Sequence, residues 1–127
     1  MDLFSMFRMI STAGGGSSPA PPSGADYVVT GNQSTAGEYA LAETWPNDSG
    51  VTKTGNYNGY PVYYCASKNT YLYYYWHFSG GAWSISANSV YGMSTPASSM
   101  GMLDYCTTDK TSPTLGAWNN GSVVTAA

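Results

Sequence analysis

Charge is scarce in this sequence. Of 127 residues, four are Lys or Arg and seven are Asp or Glu, 9% of the chain against roughly 25% in ordinary domains. Four cations and a net charge of −3 cannot neutralise a run of phosphates, which excludes nucleic acid and anionic membrane surfaces as partners. A single His and two Cys fall short of the four ligands of a structural zinc site and match no metal spacing. Long apolar runs are also missing: the opening Met1–Ile10 is about half the ~20 residues that cross a bilayer. At 127 residues the chain has room for one ordinary domain and a tail, not for a multi-domain enzyme.

Aromatic residues are abundant, with twelve Tyr, four Trp and three Phe. Chains that stay disordered are poor in aromatics and rich in charge, so this one folds. Its surface polarity must come from Ser, Thr, Asn and Gly.

Three regions follow from composition. Residues 1–10, MDLFSMFRMI, place Leu3, Phe7 and Ile10 on one face of a helix with Met6 beside them, the spacing of a segment that docks in a groove. Asp2 and Arg8 make it a poor secretory signal. Exposed Phe4, Met6, Phe7, Met9 and Ile10 would be adhesive, so the segment either folds back on its own domain or, as is expected, anchors to a partner through Leu3, Phe4, Met6, Phe7, Met9 and Ile10. Residues 11–25 mix a Gly/Ser half with a Pro half and read as a tether, able to reach about 45 Å when extended. Residues 26–127 form a Tyr-rich β domain.

In that domain short aromatic and β-branched runs alternate with Gly, Asn and Ser, the punctuation of strands. Tyr27–Thr30 and Tyr39–Thr44 come first. Tyr60–Ala66 follows the turn dipeptide Asn58-Gly59 and pairs with Tyr71–Phe78 across Ser67–Thr70, and Trp83–Ser86 returns after Ser79-Gly80-Gly81. Leu115–Trp118 and Ser122–Thr125 flank Asn119-Asn120-Gly121, whose last two residues suit a type I′ turn. The expected fold is all-β: one small antiparallel sheet domain, meander or sandwich-like, of six to eight short strands. Trp83 and Ile85 should face the core, with Ser84 and Ser86 toward water. Met93, Met100 and Met102 punctuate what reads as a Ser/Gly-rich loop.

The strand from Tyr71 is aromatic on both faces: Leu72, Tyr74, Trp76 and Phe78 on one, Tyr71, Tyr73, Tyr75 and His77 on the other. A small sheet usually leaves one face wet. The second row therefore meets another layer of its own domain, a subunit, or a sugar or receptor that stacks on Tyr71, Tyr73, Tyr75, His77 and Trp118.

Chemistry is thin. Cys65 and Cys106 are either bridged, closing a loop of about 42 residues worth about 4 kcal/mol, or two buried thiols. Without an export signal the chain is expected in a reducing cytosol, where such bonds are rare. His77 lies near Ser79 and Ser84, but no nucleophile elbow surrounds either serine. The carboxylates Asp26, Glu38, Glu43, Asp48, Asp104 and Asp109 are scattered. Asn47-Asp48-Ser49-Gly50 resembles a calcium loop in composition only. Three Asn-X-Ser triplets, at Asn32, Asn47 and Asn120, are expected by chance in an Asn/Ser-rich chain. No enzyme, cofactor or metal is expected.

The order of the pieces carries more. Gly37-Glu38-Tyr39, Tyr57-Asn58-Gly59-Tyr60-Pro61-Val62-Tyr63, Tyr71-Leu72-Tyr73-Tyr74, Trp83-Ser84-Ile85-Ser86, Thr95-Pro96 and Gly116-Ala117-Trp118 together resemble a small Tyr/Gly-rich β module. It recurs in virion and tail-fibre proteins of tailed bacteriophages, and similar modules occur in protist surface proteins. The match runs from Tyr27 to Val124; the insert Glu43–Asn56 and the stretch Met93–Cys106 depart from the compact pattern. The resemblance implies an accessory virion structural protein, such as a head-fibre, decoration or tail-fibre-like subunit, present in many copies or as a homo-oligomer. It would be held to a capsid or tail protein by residues 1–10 and assembled in the host cytoplasm. The alternative is a carbohydrate- or host-receptor-binding module on a virion or cell surface.

Overall fold

The computed structural model describes residues 24–75, 81–91, 101–106 and 111–127. The anchor residues Leu3, Phe4, Met6, Phe7, Met9 and Ile10, nearly all of the tether, His77, the Ser79-Gly80 turn, Met93 and Met100 lie outside them. The described residues are all-β and form nine strands: β1 (Ala25–Thr30), β2 (Gly37–Leu41), β3 (Thr44–Pro46), β4 (Thr52–Thr54), β5 (Tyr63–Cys65), β6 (Thr70–Tyr75), β7 (Ala82–Ala87), β8 (Met102–Cys106) and β9 (Val123–Ala126). Among the described residues no helix is long and apolar enough to cross a membrane.

Seven strands form one antiparallel sheet in the order β8-β7-β6-β5-β2-β1-β9, and β3 and β4 form a separate two-stranded ribbon. The expected meander is present. Cys65 pairs with Thr70 across the first turn, and Tyr71 with Ser86 and Tyr75 with Ala82 in the second hairpin. Asn58 and Gly59 both take positive φ, 54° and 86°, as a type I′ turn requires. Tyr57 and Tyr60 close that turn with reciprocal backbone hydrogen bonds of 2.8 and 3.1 Å.

The sheet curls until its two ends meet. Asp104 of β8 is fully buried, and its carboxylate accepts backbone N–H groups from Tyr105 (2.9 Å), Asn120 (2.6 Å) and Ser122 (3.0 Å). Ser122 is the residue before β9, so one side chain fastens the first strand in the sheet order to the turn that leads into the last. Asn119 N–H donates to the Tyr105 carbonyl at 2.9 Å and Asn120 Nδ2 to the Leu103 carbonyl at 2.9 Å. These bonds occupy the outer edge of β8, which would otherwise invite pairing with another chain. Gly31 sits where a Cβ would collide with the Gly121 carbonyl, and its φ is +85°, so only glycine allows this approach.

Inside the curl lies a first core to which every strand of the sheet contributes: Val29, Tyr39, Cys65, Leu72, Tyr74, Trp83, Ile85, Cys106 and Val124, with Trp118 from the closing loop. A second core lies on the outer face beneath the ribbon and comprises Trp45, Val62, Tyr71, Tyr73, Tyr75 and Val90. The ribbon is tied down where Val90 N–H donates to the Pro46 carbonyl at 2.9 Å.

Four expectations need correction. Leu115–Trp118 is not a strand; β9 pairs with β1 instead, Val29 opposite Val124. Asn120 does not take positive φ, so Asn120-Gly121 is not a type I′ turn; its job is to meet Asp104. Met102–Cys106 is a strand, not part of a loop. Ser84 and Ser86 are fully buried, not wet, their hydroxyls donating to the Ala82 and Ser89 carbonyls at 3.2 and 2.7 Å.

Candidate functional site

For the aromatic row opposite the first core, another layer of the domain, a subunit and a stacking ligand were all open, and the fold puts its described members Tyr71, Tyr73 and Tyr75 inside. Tyr73 and Tyr75 have no exposed surface and Tyr71 is 8% exposed. The cover is the two-stranded ribbon of β3 and β4. β3 delivers Trp45, whose indole N–H donates to the Gly55 carbonyl at 2.9 Å and whose ring meets Tyr57 edge-on at 5.2 Å. Tyr57 in turn contacts Tyr73 at 6.1 Å, and Tyr73 contacts Tyr75 at 6.3 Å. Trp118 is also buried, its indole N–H donating to the Pro113 carbonyl at 3.0 Å. None of Tyr73, Tyr75 and Trp118 has a free face on which a sugar could stack.

Buried phenols need partners, and the described bonds supply them. Tyr73 Oη lies 2.9 Å from Ser86 Oγ, and the hydroxyl also accepts the Tyr91 N–H at 3.2 Å. Tyr39 Oη donates to the Thr35 carbonyl at 2.7 Å and lies 2.7 Å from Thr70 Oγ1. Burial pushes both of these hydroxyls well above the ordinary tyrosine pKa. Tyr75 is pushed up to about 12 by burial and then by Tyr57 and Asp48. All three are neutral, structural hydroxyls near neutral pH.

The two cysteines are unbridged and buried. Cys65 opposes Thr70 at one end of β6, whereas Cys106 opposes Trp83, the partner of Tyr74 near the other end. Three inter-strand spacings and four residue steps separate them along the sheet, about 14 Å by about 13 Å, well beyond the ~7 Å a disulfide spans between Cα atoms.

The remaining polar motifs serve turns. Asn47 Oδ1 accepts the N–H groups of Ser49 and Val51, both at 2.9 Å, so Asn47-Asp48-Ser49-Gly50 is an Asx turn at the tip of the ribbon. Asn32 Oδ1 accepts Ser34 N–H at 2.9 Å, and Asn32 Nδ2 donates to the Asn120 carbonyl at 3.0 Å. Among the described residues no three His, Cys, Asp or Glu are grouped to hold a metal ion.

The described residues also form a surface groove. Where β2 runs into the ribbon, a groove of about 440 Å³ opens beside the second core, lined by Leu41, Glu43, Thr44, Tyr64 and Tyr71, with Ala40 and Ala42 between. Its aromatic wall comes from the β5–β6 register, in which Tyr64 lies opposite Tyr71. The rings sit 4.7 Å apart at 35°, and Tyr64 Oη donates to Asn69 Oδ1 at 3.1 Å. Tyr64 is half-buried. Burial, followed by the proximity of Tyr64, raises the Tyr71 pKa, so that hydroxyl too stays neutral. Among the described aromatic residues expected to form a site, Tyr71 lines this groove, whereas Tyr73, Tyr75 and Trp118 do not. Tyr64 was missed because a turn over Ser67–Thr70 sets residue 64 opposite residue 73, whereas the observed turn over residues 66–69 sets it opposite Tyr71. No protein-family model, curated protein or solved structure matches this chain.

Proposed function

We propose that the chain is a displayed, non-catalytic structural subunit of a bacteriophage particle, a head-fibre, decoration or tail-fibre-like protein held to a capsid or tail protein by Leu3–Ile10. The observation that carries this reading is where the folded domain begins. β1, the first strand, pairs with β9, the last, Tyr27 opposite Ala126, and Ala127 N–H donates to the Asp26 carbonyl at 3.0 Å. The leader therefore joins the domain at one margin of the sheet, beside the final strand. An anchor pulling through residues 11–25 loads the β1–β9 pair at that margin, and the groove lies one strand away, since Ala25 pairs with Ala40 of its lining. A sheet fastened to itself through Asp104 is suited to bearing such a load, because its first and last strands are not left as loose ends. Many identical copies on a symmetric shell fit a small neutral domain of this kind.

Deleting Met1–Ile10 tests the reading. The truncated protein should remain folded and soluble, and it should no longer co-purify with particles from an infected or induced host. Retention on particles at the full-length level would overturn the anchor, and the absence of the full-length chain from any particle would overturn the virion assignment.

A further inference from the structure

We propose that the groove beside Tyr64 binds a neutral sugar unit, an inference that goes beyond the structural role and holds whether or not the domain rides on a particle. The Tyr64 ring is set in place before any ligand arrives. One side of it lies against Tyr71 at 4.7 Å and its hydroxyl is fixed to Asn69 Oδ1 at 3.1 Å. Asn69 is itself held by its side-chain bond to Asn88 Oδ1 at 3.0 Å and by the Asn88 N–H on its carbonyl at 2.9 Å. A ring held this way has little rotamer freedom left to lose on binding, the usual cost of using a surface side chain. Tyr64 nevertheless keeps part of its surface open at the groove.

The other lining groups decide the class of ligand. Leu41 is 52% exposed and extends the apolar surface. Glu43 and Thr44 are exposed, and among the described residues neither side chain has a hydrogen-bond partner or ion pair. A carboxylate offers acceptors only, and a hydroxyl offers both donor and acceptor. An apolar shelf facing uncommitted acceptors matches a pyranose, which has a C–H face and a rim of hydroxyl donors. A quaternary or alkylated amine fits less well. A cation is held over an aromatic face, but the Tyr71 ring is largely buried and packs against Tyr64, so the pair offers a single shelf and not the enclosing walls of an aromatic cage. Anionic sugars are disfavoured by Glu43 in the groove and by the chain's net charge of −3. The groove volume of about 440 Å³ lies within the range of about 300–1,000 Å³ typical of small-ligand sites.

The full-length protein should be applied to an array of neutral and sialylated oligosaccharides, and the best-retained neutral sugar titrated by calorimetry. Neutral sugars should be retained and sialylated ones not. Thr44→Arg, which fills the groove from an exposed strand position, and Tyr64→Ala should each weaken binding by about tenfold or more. Glu43→Gln should weaken it several-fold, and Tyr73→Phe, remote from the groove, should leave it unchanged. Retention of no neutral sugar, equal retention of sialylated ones, or unaltered binding by Thr44→Arg would each overturn the proposal. Should Tyr64→Ala fail to fold, Thr44→Arg and Glu43→Gln still decide it. None of these outcomes bears on whether residues 1–10 hold the chain to a particle.

Discussion

The two faces of β6 make a useful comparison, because one strand supplies two cores that are finished differently. Leu72 and Tyr74 point into the curl, where every strand of the large sheet contributes a side chain and Asp104 fastens the ends. Tyr71, Tyr73 and Tyr75 point outward, where a ribbon of two three-residue strands is the cover. The first core is closed by a continuous hydrogen-bonded wall. The second is closed by one Trp ring, a few phenols and a short ribbon, and that cover leaves a groove at its margin. Aromatic side chains are large enough for a small ribbon to complete a layer over them, and their hydroxyls find partners at its rim. The same economy of cover makes the second core the more vulnerable one.

Alkali should produce the largest effect and test that vulnerability. The folded state raises tyrosine pKa values, with Tyr63 and Tyr75 pushed to about 12 and Tyr73 and Tyr39 further. The unfolded chain ionises its tyrosines near 10. Above that pH it binds fewer protons than the native state, so stability is fully present below about 10 and is lost as pH rises through about 12. Thermal midpoints followed from pH 8 to 12 should be flat at first and then fall steeply. Hydrogen exchange near pH 11 should show β3 and β4 opening before β6 and β7. Simultaneous opening would mean that the two cores are one cooperative unit.

Asp104→Ala comes next. It leaves the buried Ser122 N–H and the part-buried Asn120 N–H without their acceptor, at a cost of about 4 kcal/mol measured by denaturant titration. The loss should be global, because the clasp holds the whole curl. Trp45→Ala should cost about 3 kcal/mol and act locally: amides of the ribbon should exchange freely while the β6–β7 pairing stays protected. If Trp45→Ala melts the sheet as thoroughly as Asp104→Ala does, the distinction between a closed core and a covered one fails.

Much of the β6 neighbourhood was legible in the residues. The Asn58-Gly59 turn and the Tyr71 and Trp83 strands come from local turn chemistry and β preference, which act over a few residues, and the turn before Tyr71 was placed one residue late, since Thr70 already belongs to β6. β8 was hidden because Met-Leu-Asp-Tyr-Cys carries a charged residue at an inward position, and nothing local reveals that two backbone N–H groups about 16 to 18 residues away neutralise the cost of burying it. Leu115–Trp118 misled for the reverse reason: apolar residues beside a turn dipeptide suggest a hairpin, but Trp118 is drawn into the core by its neighbours. Ser84 and Ser86 look like the wet face of a strand, but they pair with Tyr73 and Tyr71 and are buried with them.

The sequence by itself determined an all-β domain, its main hairpins and the doubling of aromatic rows on one strand, because alternation and turn propensity are properties of adjacent residues. Tertiary structure alone decided which tyrosines are covered and which one borders a groove. Burial depends on what arrives from elsewhere in the chain, and here the ribbon from β3 and β4 takes Tyr73 and Tyr75 out of reach and leaves Tyr64 at the rim.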